Sequence, residues 1–490
     1  MKIRMHKRLL ALLIAFALLL ELAPLSGTLS QRGSDSLLDG AFNSSRAYAA
    51  QSPTLLTNTT FLPLVTFKIP VQTVFGFETF AVVNGGGLAE MSAAKASWVR
   101  RDGIYWPDVE TAPGVRNWTV LASLEQEMIN ASNNGMQMLP IVRGTPVWAQ
   151  AVTGTSCGPI LPAQLGAFGR FMHDMVARYS GPPFNVHHWE IWNEPDVDPT
   201  GMGNSNWGCW GNNNDSYFGG GYFAQMLQTI YPQIKASDPS AQVILGGLLL
   251  DCPATLSTCN SGSRSSKFLE GILRAGGGAY FDGVAFHAYD YYIDSALGHY
   301  TNYNWGTNWN TSGPVLIAKA RSVKQQLQTY GVTGKGLYGT ETAVVCICAT
   351  TTDTFELTKA YYIAQSFASA MAEGLKMSSW YGYYGWRQSG LATPAPPWGT
   401  LPAYAAFQVA RRELGDAQYS NEITTFPGVK GFAFTRRGHR LWLLWSLDGA
   451  AHSVTLPATP TAVQDALGNP SGIAGNTISV TIAPLWIEMP

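Results

Sequence analysis

The chain has 490 residues, of which 46% are apolar and 13% are charged, and its net charge is close to zero. That balance excludes a nucleic-acid-binding protein or a polybasic membrane-surface protein, because both need a basic face. The apolar share is enough for a large core, which excludes disorder as the main state. The 16 Trp, 21 Tyr and 21 Phe indicate a weakly charged surface that presents many flat rings.

The first 50 residues have the layout of a leader. Four basic residues come before an unbroken apolar run over 9–20, and Glu21 and Pro24 end that run. A membrane span needs about 20 apolar residues, so the run favours a secretory signal. Small residues at Ala47 and Ala49 provide a late cleavage pattern. We expect 1–50 to be a cleaved signal and linker, with an uncleaved amino-terminal anchor as the alternative. Both place the body of the protein outside the cytosol.

Six cysteines are expected to form disulfides in an exported chain, and they stand at Cys157, Cys209, Cys252, Cys259, Cys346 and Cys348. A zinc site needs two closely spaced pairs of ligands. The last two cysteines are close together, but no second pair complements them. Cys252 and Cys259 form the easiest loop link, and Cys157 and Cys209 are candidates for tying two neighbouring loops.

Short apolar strands alternate with amphipathic helices from about residue 71 onward. The eight predicted strands are 71–77, 97–102, 136–142, 187–192, 242–248, 282–286, 336–340 and 376–382. The helices between them have apolar residues at i, i+3 and i+4. One helix begins at Pro162 and ends before Gly181, and another covers 402–414.

Eight strand–helix units in succession predict a (β/α)8 barrel, an α/β fold, within a catalytic domain at 51–414. A doubly wound open sheet is the alternative, but residues 75–78 lack the glycine-rich phosphate loop of that fold. The pattern changes after residue 414 to short runs separated by turn residues. A small all-β domain, a β-sandwich, is therefore predicted at 415–490.

Two glutamates follow strands that lie nearly across the predicted barrel from each other. Glu194 follows the fourth strand and Glu341 follows the seventh. Active sites of such barrels lie at the carboxyl ends of the strands, and a carboxylate pair there is able to cleave a glycosidic bond. Arg100 and Tyr289 are candidates for keeping one carboxylate ionised, which would separate the two pKa values.

The motifs WEIWNEP at 189–195, HAY at 287–289 and YGTE at 338–341 resemble the retaining glycoside hydrolases of clan A. The segment 96–149 is similar to family 39 and its relatives in that clan, and the barrel as a whole also resembles family 5. The resemblance implies a hydrolase of O-glycosidic bonds that needs no cofactor or metal. It covers the barrel, about 71–414.

The resemblance also implies a role for each matching residue. Glu194 would be the general acid/base and Glu341 the nucleophile, and Asn193 would contact the sugar 2-hydroxyl. The other implied substrate-site residues are Arg100 near the nucleophile, His287 and Tyr289 lining the subsite, and Trp380 in its floor. Thr342 and the cysteines that follow depart from the clan pattern, so the loop after the seventh strand is unusual for the clan.

Nearby residues are also open to structural interpretations. Glu190 shares the strand parity of Glu194, so we expect it to point into the barrel and to pair with Arg143 or Arg100. Arg101 is expected to face the helices or the surface instead.

Loop aromatics are the candidates for sugar platforms, and about a third are expected to touch substrate: Trp106, Trp148, Trp207, Trp210, Tyr291, Tyr292, Trp305, Trp309 and Trp386. Long loops at 196–222 and 290–313 favour a pocket and action at chain ends. The sequence thus predicts an exported retaining β-glycoside hydrolase with a carbohydrate substrate and no nucleic-acid partner. The alternatives are a non-catalytic carbohydrate-binding protein on the same barrel, an anchored surface protein and a transglycosylase.

Overall fold

A computed structural model describes residues 73–198, 208–256, 259, 264–393 and 399–490. The predicted leader at 1–50 and its cleavage pattern lie outside these residues. In the ranges that are described, no helix is long and apolar enough to cross a membrane.

Eight parallel strands close into a barrel. They are β1 (Phe75–Glu78), β2 (Trp98–Tyr105), β3 (Gln137–Arg143), β4 (His188–Asn193), β5 (Gln242–Leu248), β6 (Gly283–Tyr292), β9 (Gly336–Val345) and β10 (Met377–Tyr381). Each strand pairs with its neighbour in this order, and β10 pairs back onto β1. The predicted (β/α)8 barrel is confirmed, and the open doubly wound sheet is wrong because the sheet has no free edge between these eight strands.

Helices surround the barrel and cover the outer faces of its strands. They are α1 (Leu88–Ala93), α2 (Trp106–Val109), α3 (Ala122–Asn133), α4 (Leu165–Tyr179), α5 (Gly220–Ser237), α6 (Phe268–Arg274), α7 (Val315–Thr329), α8 (Asp353–Ala372) and α9 (Pro402–Leu414). Outward-facing rings join the layers: Phe75 of β1 stacks on Phe367 of α8 at 4.4 Å between ring centroids.

β6 and β9 run furthest past their predicted ends at 286 and 340. β6 and β9 have 10 residues each and stay paired beyond the barrel, as far as Tyr291 opposite Val345. A short hairpin of β7 (Tyr300–Asn302) and β8 (Thr307–Asn308) then extends the sheet from β6. These strands form a wall above one side of the barrel, in the segment 290–313 that the sequence analysis assigns to a loop.

Inside the barrel, a layer of mainly apolar side chains fills the end opposite the site. It consists of Trp98, Leu139, Ile244, Ala285, Tyr338 and Met377, which are all buried. Side chains on a strand alternate between its two faces, so the next inward positions on β2 and β4 are Arg100 and Glu190. The apolar floor thus supports a polar layer directly above it.

The carboxyl-terminal segment forms two antiparallel sheets. The strands are β11 (Ala417–Ile423), β12 (Val429–Arg436), β13 (His439–Ser446), β14 (His452–Thr455), β15 (Ala462–Asp465), β16 (Thr477–Val480) and β17 (Leu485–Met489). A five-stranded sheet runs in the order β11-β12-β13-β17-β15, and β14 pairs with β16. Val454 and Val480 share a small core with Ile487, so the predicted β domain is confirmed.

The β domain also shares the main core with the barrel. Phe432 and Trp445 belong to that core, and a Cβ on Gly298 beside the hairpin would lie 2.6 Å from Ile482. The limits 51–414 and 415–490 stay a prediction, because the first boundary falls outside the described residues and the two parts pack as one body.

All six cysteines are paired. Cys157–Cys209 ties the loop after β3 to the loop after β4, and Cys252–Cys259 closes a loop after β5, as the sequence predicts. Cys346–Cys348 closes a two-residue step directly after β9. The disulfide interpretation of the cysteines is confirmed.

Candidate active site

Arg100 lies at the centre of the polar layer, and its side chain is fully buried. Its Nε donates to Glu190 Oε2 at 2.6 Å and its Nη2 donates to Glu190 Oε1 at 3.0 Å. Glu190 also accepts from the Gly247 backbone N–H at 2.7 Å. Of the two partners predicted for Glu190, Arg100 is therefore the right one, while Arg143 binds Asp102 at 2.7 Å.

The neighbouring arginine faces outward as predicted. Arg101 Nε donates to Glu127 Oε2 of α3 at 2.7 Å. Arg100 thus points into the barrel and Arg101 points toward the outer helices, because consecutive side chains on a strand point to opposite faces.

The other nitrogen atoms of Arg100 reach the upper part of the site. Nη1 donates to Glu341 Oε1 at 2.7 Å and to Glu78 Oε2 at 2.6 Å, and Nη2 donates to Asn193 Oδ1 at 2.7 Å. Burial alone would lower the pKa of Arg100, but the surrounding carboxylates raise that pKa well above its usual value. Arg100 is therefore a permanent cation that binds both Glu341 and Asn193.

Glu341 lies inside β9 and is 8% exposed. Its Oε1 accepts from Arg100, and its Oε2 accepts a short hydrogen bond from the Tyr289 hydroxyl. Burial and the adjacent carboxylate raise the pKa of Tyr289 well above its usual value, so the phenol keeps its proton and donates it. These donors stabilise a charged carboxylate at Glu341.

Glu194 follows β4 and has a different environment. Its φ is 45°, a left-handed conformation, and its backbone N–H donates to Gly247 O at 2.9 Å. Burial raises the pKa of Glu194 to about 7, although Arg100 and Lys319 lower it. A carboxyl group with this pKa is partly protonated near neutral pH.

His287 connects the two glutamates. Its Nδ1 lies 2.9 Å from Glu194 Oε1 and 3.3 Å from Glu341 Oε2. Burial lowers the pKa of His287 to about 4, so the ring is neutral at pH 7. Its Nε2 lies 3.5 Å from Arg100 Nη2, which only donates, so the ring proton belongs on Nδ1. One oxygen of each glutamate and a His287 nitrogen lie within 4.8 Å of one another.

Gly247 is necessary for this arrangement. A Cβ on Gly247 would lie 2.2 Å from His287 Nε2 and 2.8 Å from Glu190 Oε1. A side chain at this position would therefore push the imidazole out of place.

An aromatic group borders the glutamates. The Tyr289 ring has edge-to-face contacts with Tyr381 at 5.8 Å and with Trp386 at 5.7 Å between ring centroids. Tyr381 is the strand partner of Glu78 across β10 and β1. The sequence analysis did not select Glu78 or Tyr381. The available signal was position, since Glu78 directly follows the predicted strand 71–77 and Tyr381 is the next-to-last residue of the predicted strand 376–382.

The prediction for Trp380 needs correction. Its side chain is fully buried on the helix side of β10, where the indole N–H donates to Ser389 O at 2.9 Å and the ring contacts Tyr362 of α8. Met377 of the same strand points into the barrel. Tyr381, one residue later than Trp380, therefore has the inward parity.

The loop aromatics divide into buried and exposed groups. Trp106 and Trp210 are buried in the main core, whereas Trp386 is 42% exposed. The Trp148 indole donates to Glu110 O at 3.2 Å and packs edge-on against Trp106. A substrate contact for Trp148 stays a prediction, and Trp207 lies outside the described residues.

Glu194, His287 and Glu341 are also the residue types that bind metal ions. Both oxygens of Glu341, however, already accept hydrogen bonds, from Arg100 and from Tyr289. The positive charge of Arg100 would repel a cation at this position. The arrangement fits acid–base and nucleophilic chemistry better than metal binding.

No protein-family model matches the chain, and no curated protein matches its sequence. Solved structures do match its fold. A family 39 glycoside hydrolase from Bacteroides cellulosilyticus has 16% identity and a TM-score of 0.63, over 86% of this chain and 81% of that one. A GH30 endoxylanase from Clostridium papyrosolvens has 12% identity and a TM-score of 0.56, over 86% of this chain and 97% of that one.

A conserved exported protein from Bacteroides fragilis has 12% identity and a TM-score of 0.56, over 85% of this chain and 99% of that one. Identities this low establish the fold alone. At that level they confirm the resemblance that the motifs indicate, since the same barrel occurs in glycoside hydrolases of families 39 and 30.

Proposed function

We propose that this protein is a retaining β-glycoside hydrolase, with Glu341 as the nucleophile and Glu194 as the general acid/base. The observation that carries the proposal is a pair of glutamates with one carboxyl oxygen of each within 4.8 Å of the other, where one glutamate is bound by Arg100 and the other is partly protonated because burial raises its pKa. Retaining enzymes hold their carboxyl groups about 5–5.5 Å apart, and inverting enzymes leave room for a water at roughly 6.5–9.5 Å.

In the first step, a Glu341 oxygen attacks the anomeric carbon while the bond to the leaving oxygen breaks. Glu194 gives its proton to that leaving oxygen, and a glycosyl ester forms on Glu341. Arg100 and Tyr289 hold the two oxygens of Glu341 in place before attack. Glu194 holds a proton to donate because burial raises its pKa.

In the second step, the deprotonated Glu194 accepts a proton from a water molecule, and that water attacks the anomeric carbon. The ester bond to Glu341 breaks, so the carboxylate is released and the sugar leaves with retained configuration. A sugar hydroxyl in place of the water would give transglycosylation by the same chemistry.

The remaining contacts orient these groups. The Asn193 side-chain oxygen accepts a hydrogen bond from Arg100, so the amide nitrogen points away from the guanidinium. We assign this amide nitrogen to a contact with the sugar 2-hydroxyl. The neutral His287 orients Glu194 through Nδ1. Glu78 and Tyr381 complete the wall on the side of β1 and β10.

We also propose that the protein is exported. Support comes from the basic and apolar start of the chain and from three disulfides, which persist in oxidising compartments. Intact-mass measurement of the native protein should show the loss of the leader. A full-length mass would instead support the anchored form.

The catalytic test uses a panel of aryl β-glycosides and plant and microbial polysaccharides, with NMR of the first-formed anomer. Wild type should release a sugar with retained configuration, and Glu341→Gln should be inactive while folded. Glu125→Gln is the matched control, because Glu125 lies on α3 and binds Arg178 outside the site. Near-wild-type turnover by Glu341→Gln would overturn the assignment. Sugar binding without turnover by the wild type would favour a non-catalytic binding protein.

A further inference from the structure

We propose that a cavity next to the catalytic glutamates is the leaving-group subsite, and that it binds a neutral sugar ring. The natural substrate would then be an oligosaccharide or polysaccharide, and not a glycoside whose leaving group is small or charged. This inference rests on the proposed function, and the experiment below separates the two.

The cavity has a volume of about 570 Å³ and lies above the ends of β5, β6 and β9. Tyr289, whose hydroxyl donates to Glu341, is one of its wall residues, so the cavity borders the catalytic site. Its size falls in the range of small-molecule sites, roughly 300–1,000 Å³. Six of its wall residues are Leu249, Asp251, Tyr291, Asn304, Lys319 and Ile347.

Hydrogen bonds join the wall of the cavity to the segment around Glu194, the residue that protonates the leaving group. Asp196, two residues after Glu194, accepts from the Leu249 and Leu250 backbone N–H groups at 2.8 and 2.9 Å. Lys319 donates to the carbonyl oxygens of Leu249 and His287 at 2.8 and 2.7 Å. The wall is thus bound to the segment that carries the acid.

The opposite side of the glutamates suits the sugar that is attacked. Glu78 and Asn193 both contact Arg100, which holds the nucleophile, and Tyr381 is the strand partner of Glu78. None of these residues lines the cavity. If the sugar that is attacked binds above Arg100, the cavity remains available to the group on the other side of the cleaved bond.

The charges of the cavity favour a neutral ligand. Lys319 and Arg387 are balanced by Asp251 and Asp294, and Asp251 accepts from Asn304 Nδ2 at 2.5 Å. Amide, carboxylate and phenol groups together supply donors and acceptors for hydroxyl groups. A uronate would need an excess of cations here, and an amine would need an excess of acids.

The wall that β6 and β9 form beyond Tyr289 is long enough for another ring beside the reacting sugar. β6 and β9 continue two residues past the pair Tyr289–Ala343 to Tyr291–Val345, which is about 7 Å at the rise of a strand. The tyrosine rings on this wall offer apolar faces to the C–H groups of a pyranose. The hairpin β7–β8 carries Tyr303, which is 70% exposed, at the same cavity.

The test uses Tyr303→Ala and Asn304→Ala, which lie on the hairpin and touch neither catalytic glutamate. Each variant is assayed on an activated aryl glycoside and on the β-linked oligosaccharide of the same sugar. We expect kcat/KM to fall about tenfold on the oligosaccharide, equivalent to about 1.4 kcal/mol, and to stay within about twofold on the aryl glycoside. Tyr419→Ala, on the β domain, is the matched control and should leave the ratio of the two values unchanged.

The possible results distinguish a failure of the subsite proposal from a failure of the proposed hydrolase function. Equal losses on both substrates, no loss on either, or failure of wild type to cleave the oligosaccharide would overturn the subsite while the hydrolase stands. Better cleavage of an oligosaccharide whose leaving sugar is a uronate would overturn the neutral ligand. No cleavage of either substrate by wild type would reject the proposed function and the subsite with it.

Discussion

Hydrolysis should decline at alkaline pH with a midpoint near 7, because the proposed acid is a buried carboxyl group. Burial raises the pKa of Glu194 to about 7, and the protonated form is the one that donates. Two pH units above that midpoint, about one molecule in a hundred keeps the proton. The value of kcat/KM should therefore fall about tenfold for each pH unit on this limb.

The assay measures kcat/KM between about pH 5 and 9 on aryl glycosides with poor and good leaving groups. Glu194→Ala should lose the alkaline limb and should lose much less activity on the good leaving group, which needs little protonation. The same variant should be rescued by added azide through formation of a glycosyl azide, since azide needs no general base. A limb that persists in Glu194→Ala, or a flat wild-type profile, would refute the assignment of the acid.

Three further changes probe the site and its frame. Tyr289→Phe removes one hydrogen bond to the charged nucleophile, worth about 1.5–3 kcal/mol, so kcat should fall roughly 10- to 150-fold at unchanged thermal stability. Gly247→Ala places a Cβ 2.2 Å from His287 Nε2, so calorimetry should show a loss of about 1–3 kcal/mol, and an unchanged melting temperature would contradict the packing. Cys157→Ser opens a disulfide that spans 52 residues, so urea unfolding should show a loss of about 4 kcal/mol, whereas equal stability would argue that the loops hold without it.

The barrel and the two glutamates were predictable because local patterns carry them. Each inner strand is a short apolar run bounded by turn residues, and eight runs separated by helices leave few topologies. Glu194 and Glu341 follow or end such runs, so the carboxyl-end rule brings them together before any coordinates are known. The contact of Arg100 with Glu190 also follows from strand parity, although parity alone left Arg143 as an equal partner.

The errors arise where the register between strands decides the outcome. Trp380 and Tyr381 are consecutive aromatics, and a strand boundary that is uncertain by one residue exchanges their faces. Glu78 ends the short β1 and lies opposite Arg100 only in the register that β1 and β2 adopt, which local patterns do not determine. The extensions of β6 and β9 are paired with each other beyond the barrel, so the local sequence of either strand does not indicate where that strand ends.

The difference between the two catalytic carboxyl groups follows from the distribution of charge around a single arginine. Arg100 contacts Glu190, Glu78 and Glu341, so one positive charge meets three acids. Burial raises the pKa of Glu78 well above its usual value in spite of that arginine, and the charge of Glu341 raises it further. A raised pKa favours the neutral form of Glu78, which competes less with Glu341 for Arg100. Burial raises the pKa of Glu194, whose side chain meets the neutral His287 and not the guanidinium, so its proton lies close to the carboxylate that attacks.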